Sequence, residues 1–145
     1  MSGMFEKKIM IIEDNEFSRV LITTKLKKNG FKNLSVYGSS VEAWEEIART
    51  VLVDNPFDLI ITDLNMPDLD GMDLISKIKD DPLSVKLKII VVSADADQFI
   101  IDFVLALGAC AYLVKPFLTN EMVAVVEAVL SDRDIPEVKG MFPAM

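Results

Sequence analysis

Short runs of apolar residues alternate along this chain with longer stretches in which apolar positions recur every three or four residues. Ile9-Met10-Ile11-Ile12 is continuous and apolar, the pattern of a strand covered on both faces. Phe17, Val20, Leu21 and Thr24 then stand at i, i+3, i+4 and i+7, which predicts one face of a helix. Asn29-Gly30 ends it, because glycine accepts the left-handed backbone a helix terminus often needs. Leu34 to Tyr37 reads as a second strand. Ser39 and Glu42 have the spacing of a capping box and open a helix with Trp44, Ile47, Ala48 and Val51 on one face. After Pro56, Leu59 to Thr62 forms the third strand. A loop with Pro67 and Gly71 leads to a short helix carrying Leu74, Ile75 and Ile78, broken by Pro82. Leu87 to Val92 is the fourth strand. Ile100, Phe103, Val104 and Leu107 mark the fourth helix, closed by Gly108. Ala111 to Val114 is the fifth strand, and Met122, Val125, Val126 and Val129 mark the last helix.

The order is therefore strand–helix repeated five times, an α/β architecture without a second domain. Parallel neighbours need crossover connections, so alternating strands and helices predict a parallel sheet. Right-handed crossovers place helices on both of its faces. The domain is expected over residues 1–131, with its core over about 7–131. Asp132 to Met145 contains two prolines and a glycine and is expected to be mobile or loosely docked.

Length and composition narrow the classes. A chain of 145 residues with 51% hydrophobic content fits one globular domain. A formal charge of −8 repels phosphate backbones, so no nucleic-acid partner is expected. No apolar run is long enough for a membrane span, and the N-terminus lacks a signal-peptide pattern; cytoplasmic residence without membrane insertion is the expectation. The single cysteine, Cys110, rules out an internal disulfide and is expected to be a buried structural thiol.

The chemistry lies where polar groups interrupt the apolar runs. Glu13 and Asp14 follow the first strand, Asp63 follows the third, Ser93 ends the fourth and Lys115 follows the fifth. All fall at carboxyl ends of strands, which form one edge of an open α/β sheet, where ligands bind. Clustered carboxylates cannot all stay ionised without a counter-charge. A hard divalent cation such as Mg²⁺ would supply it, and Lys115 adds a point charge that suits Asp63 or phosphoryl oxygens. A carboxylate nucleophile, a metal and a cationic clamp are the parts of in-line phosphoryl transfer. Read singly, each residue has a plainer explanation: Glu13, Asp14 and Asn15 as helix-start acids and caps, Asp63 as a turn residue, Lys115-Pro116 as loop. Their joint placement is the signal.

These residues resemble the response-regulator receiver family, its stand-alone chemotaxis type in particular. The resemblance covers about residues 7–131 and rests on four segments: Ile11-Ile12-Glu13-Asp14-Asn15, Ile61 to Gly71 around Asp63, Val92-Ser93-Ala94, and Tyr112-Leu113-Val114-Lys115-Pro116-Phe117. It implies a flavodoxin-like sheet of five parallel strands in the order 2-1-3-4-5. It also implies Asp63 as phosphoacceptor, with Mg²⁺ held by Asp14, Asp63, Glu13 and the carbonyl of Asn65. By the same resemblance Lys115 and Ser93 hold phosphoryl oxygens, and Tyr112 is a rotameric switch coupled to Ser93. Asn65 and Asp95 tune dephosphorylation, and the Lys115–Pro116 peptide is cis.

A chain without histidine needs phosphohistidine from a histidine kinase or histidine phosphotransfer protein. The resemblance further implies output through a protein target at the face of the fourth helix, fifth strand and fifth helix, as a monomer or a phosphorylation-linked dimer. Such a protein acts on its own phosphorylation state and is not an enzyme on external substrates. The alternative reading is a phosphorylation-independent scaffold of the same fold. A phosphatase with an aspartate nucleophile is disfavoured, because Asn65 stands where its second aspartate would be.

Overall fold

The computed structural model describes residues 3–144; Met1, Ser2 and Met145, the ends of the predicted domain and tail, lie outside them. A single 3-10 turn, Met4–Glu6, leads into the alternation read from sequence: β1 (Lys8–Ile12), α1 (Glu16–Lys28), β2 (Asn33–Tyr37), α2 (Ser40–Leu52), β3 (Leu59–Thr62), α3 (Gly71–Asp80), β4 (Lys88–Ser93), α4 (Gln98–Leu107), β5 (Ala111–Val114) and α5 (Thr119–Leu130). A further strand, β6 (Met141–Pro143), follows. The sheet order is β2-β1-β3-β4-β5-β6, so the expected order of the five parallel strands is present and one antiparallel strand is added.

Two apolar layers enclose the sheet. Ile9, Ile11, Ile61, Ile90, Val92 and Leu113 point into a layer filled by Ile22 and Leu26 of α1 and by Met122, Val125 and Val126 of α5. Met10, Ile12, Ile60, Val91 and Tyr112 point the other way, toward Ala43 and Ile47 of α2, Leu74, Ile75 and Ile78 of α3, and Ile101 and Val104 of α4. Successive strand residues face opposite layers, so a strand buried on both faces must be apolar throughout. The N-terminal turns are fixed locally. Asn15, Ser39, Asp70 and Asp97 each accept a backbone N–H in the first turn of the helix they precede.

Burial selects among the apolar positions of α1 and α4, and the C-terminal segment and Cys110 differ from expectation. The stripe Phe17, Val20, Leu21, Thr24 is not the inner face of α1. Phe17 is 78% exposed, and Ile22 and Leu26 are buried instead. The helix carries apolar residues on two stripes, and only the Ile22–Leu26 stripe meets α5 and the sheet. On α4, Ile101 and Val104 take the buried positions, while Phe103 is about half exposed. Residues 132–144, expected to be mobile or loosely docked, are docked on the domain. Ile135 and Val138 pack on the α1/α5 layer, Met141 is buried, and β6 pairs with β5. Two backbone bonds flank that pairing, Val114 N–H to the Gly140 carbonyl at 2.8 Å and Ala144 N–H to the Cys110 carbonyl at 2.9 Å. The apolar residues Ile135, Val138, Met141 and Phe142 supply the burial that a polar tail would lack. Cys110 itself is half-buried rather than fully buried. Among the described residues no helix is long and apolar enough to cross a membrane.

Candidate functional site

The register of the parallel ladder brings the polar strand ends together. Ile12 is paired with Thr62, and Thr62 with Val91, while Ser93 is paired with Val114. Each next residue along β1, β3 and β5 is a charged member of the predicted set: Glu13, Asp63 and Lys115. Backbone bonds extend the ladder through them. Asp63 N–H donates to the Ile12 carbonyl at 3.1 Å, and Lys115 N–H donates to the Ser93 carbonyl at 2.7 Å. The Lys115–Pro116 peptide is cis, as the resemblance implied.

At the centre, the Lys115 ammonium donates to Asp63 Oδ2 at 2.9 Å and also to Glu13 Oε1. Glu13 is 1% exposed and Asp63 6%, whereas the lysine side chain reaches out to solvent at 21%. One ammonium thus bridges two nearly buried carboxylates. Burial pushes the Glu13 carboxyl above its ordinary value, and neighbouring Asp63 adds to this, although the Lys115 hydrogen bond works against both. Burial alone would lower the Lys115 pKa. Its hydrogen bonds to Glu13 and Asp63 overcome that and hold the ammonium above its ordinary value.

The second oxygen of Asp63, Oδ1, accepts the Asn65 backbone N–H at 3.1 Å, which folds the start of the β3–α3 loop over the carboxylate. That loop is pinned at its other end. Asp68 accepts from the Ser39 hydroxyl at 2.5 Å, from the Ser40 hydroxyl at 2.7 Å, and from the Ser40 and Val41 backbone N–H groups. Ser39 and then Ser40 hold the Asp68 carboxyl far below the usual carboxylate range. Gly71 follows because the chain turns back tightly. A Cβ there would stand 2.6 Å from both the Asp63 carbonyl oxygen and Leu64 Cα. Sequence reading missed this latch. Its signal was the Ser39-Ser40 pair at a helix start, of which only the capping role of Ser39 was read, without a partner in another loop.

On the far side, the fully buried Ser93 accepts the Asp95 N–H on Oγ at 3.1 Å, and Tyr112 donates its hydroxyl to the Asp95 carbonyl at 2.7 Å. Tyr112 is fully buried, with its ring turned inward. Ser93 and Tyr112 therefore hold the same residue of the β4–α4 loop from two directions. Asp95 is half-buried there and Asn65 is exposed. Asp14 is also exposed and takes part in no hydrogen bond or ion pair among the described residues.

The donor set suits Mg²⁺. Among the described residues no cluster of three or more carboxylates or thiols is poised to hold a metal by itself. Mg²⁺ does not need one, since it keeps several waters and takes one or two carboxylates plus phosphate oxygens. Two buried carboxylates sharing one ammonium leave a negative charge, and exposed Asp14 adds another hard oxygen donor at the same sheet edge.

Residues 9–127 match the family described as the response regulator receiver domain. The chain is 31% identical to the probable chemotaxis protein CheY of Rhizobium etli over 122 residues, covering 84% of this chain and 91% of that one. It is 28% identical to the chemotaxis protein CheY1 of Helicobacter pylori strain 26695, covering 88% of this chain and 99% of that one. Among solved structures, a putative response regulator from Chloroflexus aurantiacus aligns with a TM-score of 0.78 at 26% identity, covering 87% of this chain and 98% of that one. The Borrelia burgdorferi CheY, solved in a complex with CheX, BeF3 and Mg²⁺, shares the fold with a TM-score of 0.72 at 22% identity, over 81% of this chain and 84% of that one. With this match, the shared strand order and a cluster of charged residues at the strand ends, the chain belongs to the response regulator receiver domain family.

Proposed function

We propose that this receiver is a phosphorylation switch in which Asp63 accepts a phosphoryl group and a rearranged β4–α4 loop carries the signal to a protein partner. The observation that supports it best is the Lys115 ammonium, bonded at once to Asp63 and Glu13. It orients two nearly buried carboxylates with a single cation, an arrangement suited to a divalent cation beside it. A histidine kinase or histidine phosphotransfer protein is the donor. The Asp63 carboxylate attacks phosphorus in line, a P–O bond forms, and the P–N bond of phosphohistidine breaks with its electron pair leaving on the imidazole. Lys115, already at Asp63 Oδ2, moves onto a phosphoryl oxygen without crossing the site. The Ser93 hydroxyl is the second donor to that group.

Mg²⁺ would be held by the carboxylates of Asp14 and Asp63, with Glu13 acting through water and the Asn65 carbonyl completing the protein ligands. When bound it offsets the charge gathering on the phosphoryl oxygens. Drawing Ser93 toward the phosphoryl group releases or tightens the Asp95 turn, which Tyr112 also holds. That couples the site to the α4–β5–α5 face, where the partner docks. The side chains of Asn65 and Asp95 border the path of an attacking water and tune dephosphorylation, so bulky apolar replacements should lengthen the phosphoryl lifetime.

The test uses wild type and Asp63→Asn with acetyl phosphate and Mg²⁺, resolved on a phosphate-affinity gel, with a phosphohistidine donor in parallel. A shift in wild type alone, abolished by chelating Mg²⁺, is the expected result. No shift with either donor in folded protein would favour a phosphorylation-independent scaffold.

A further inference from the structure

The added strand β6 lies outside residues 9–127, the part that matches the family. Its position is specific. In the antiparallel register Phe142 stands directly opposite Tyr112, while Met141 stands opposite Leu113. Met141 and Phe142 of β6 divide between the layers as their partners do. Met141 joins the α1/α5 layer with Leu113, and Phe142 packs on the layer that contains Tyr112, Ile101 and Val104. Directly opposed residues in an antiparallel pair keep their Cβ atoms about 5 Å apart on one face of the sheet. Phe142 therefore occupies space beside the tyrosine ring at the β5 edge of the sheet. Opposite it, the Tyr112 hydroxyl is tied to the Asp95 carbonyl.

We infer that Phe142 is a positioning residue for Tyr112, and that β6 is a built-in strap biasing the tyrosine toward its buried position before any phosphoryl group arrives. The route toward the site is contiguous: Phe142 backs Tyr112, Tyr112 holds Asp95, Asp95 is bonded to Ser93, and Ser93 ends the strand paired with β3, at the same sheet edge as Asp63. A strap that favours the buried ring shifts an equilibrium the phosphoryl group also shifts, so each must strengthen the other. This second half rests on the switch proposed above. The first half, the position of the ring, does not.

The experiment exploits the presence of only two tyrosines, Tyr37 and Tyr112. Wild type, Phe142→Ala and Phe142→Leu are labelled with 3-fluorotyrosine, and Tyr37→Phe assigns the fluorine resonances. Without any phosphate analogue, the Tyr112 resonance of wild type should resist broadening by a soluble paramagnetic agent. In Phe142→Ala it should become accessible. In Phe142→Leu, which keeps apolar bulk but no ring, it should stay protected. Affinity for beryllofluoride with Mg²⁺ should fall about two- to fivefold in Phe142→Ala, the range a cross-strand aromatic pair contributes, and recover in Phe142→Leu. A protected Tyr112 in Phe142→Ala overturns the inference, even if that variant unfolds more easily, because the role would then be structural only. Unchanged beryllofluoride affinity beside an exposed ring overturns the link to the site. If wild type binds no beryllofluoride, the proposed switch fails, and the fluorine signal alone still decides whether the strap holds the ring.

Discussion

Lys115 carries more of the site than any other single residue, because two carboxylates depend on it. Replacing it with methionine keeps the stem and removes the charge. Glu13 and Asp63 then face each other with no cation, and the Glu13 pKa, already raised by burial, rises further. A carboxyl whose folded pKa lies above its unfolded value binds more protons in the folded state, so stability is lost as pH climbs from the unfolded value through the folded one. Lys115→Met should therefore unfold at lower urea than wild type, by about 1–2 kcal/mol near neutrality. The deficit should shrink as pH falls from neutrality and Glu13, its carboxyl pKa raised first by burial, takes up its proton. A deficit that stays constant with pH would show that the bridge acts through packing alone. The charged members of this site were legible because each interrupts an apolar run at a strand end. Asp68 was not, since an aspartate in a loop gives no hint that its partners, Ser39 and Ser40, lie at another helix start.

Elements were read well where two-sided burial forces an unbroken apolar run. Four of the five parallel strands, β1, β3, β4 and β5, are of this kind. Periodicity located α1 but left its inner face open, because a helix with apolar residues on two stripes has two equally periodic phases, and only packing on α5 and the sheet selects Ile22 and Leu26. On α4 the periodic set contained the buried Val104 together with the exposed Phe103, and it passed over the buried Ile101. Strand β6 was missed because Met141-Phe142-Pro143 is too short for periodicity to register, and its pairing is decided by the free edge of β5. Another element-scale constraint is the start of α3, which runs against the loop after Asp63. Gly71→Ala would drive a methyl into the Asp63 carbonyl and Leu64 backbone, which cannot move as a flexible side chain would. We expect about 1–3 kcal/mol of destabilisation from that overpacking. Because Asp63 itself must shift, phosphorylation by acetyl phosphate should slow even at temperatures where the variant is fully folded. An unchanged rate in folded Gly71→Ala would mean the loop yields without moving the carboxylate.

At the scale of the whole molecule, the formal charge of −8 and the proposed metal site make competing predictions about salt. Net negative charge pushes a compact chain apart, and any electrolyte relieves this by screening. A specific Mg²⁺ site adds something screening cannot. A ligand that binds only the folded state stabilises it by RT ln(1 + [L]/Kd), about 1.4 kcal/mol at ten times the dissociation constant. For a chain of this length that is a rise of roughly 4–6 °C in melting temperature. The comparison is thermal unfolding in MgCl2 against KCl at equal ionic strength. Wild type should gain several degrees more in Mg²⁺, and the extra gain should vanish in Asp14→Ala, a substitution at an exposed side chain with no bond to lose among the described residues. Asp63→Asn should reduce it as well, and it also removes the repulsion that raises Glu13, so this variant should start from a different baseline in KCl. Equal gains in the two salts would mean that Mg²⁺ acts as a diffuse counter-ion. The charge pattern at the strand ends would then be met by Lys115 alone, and the phosphoryl chemistry proposed for Asp63 would lose its metal.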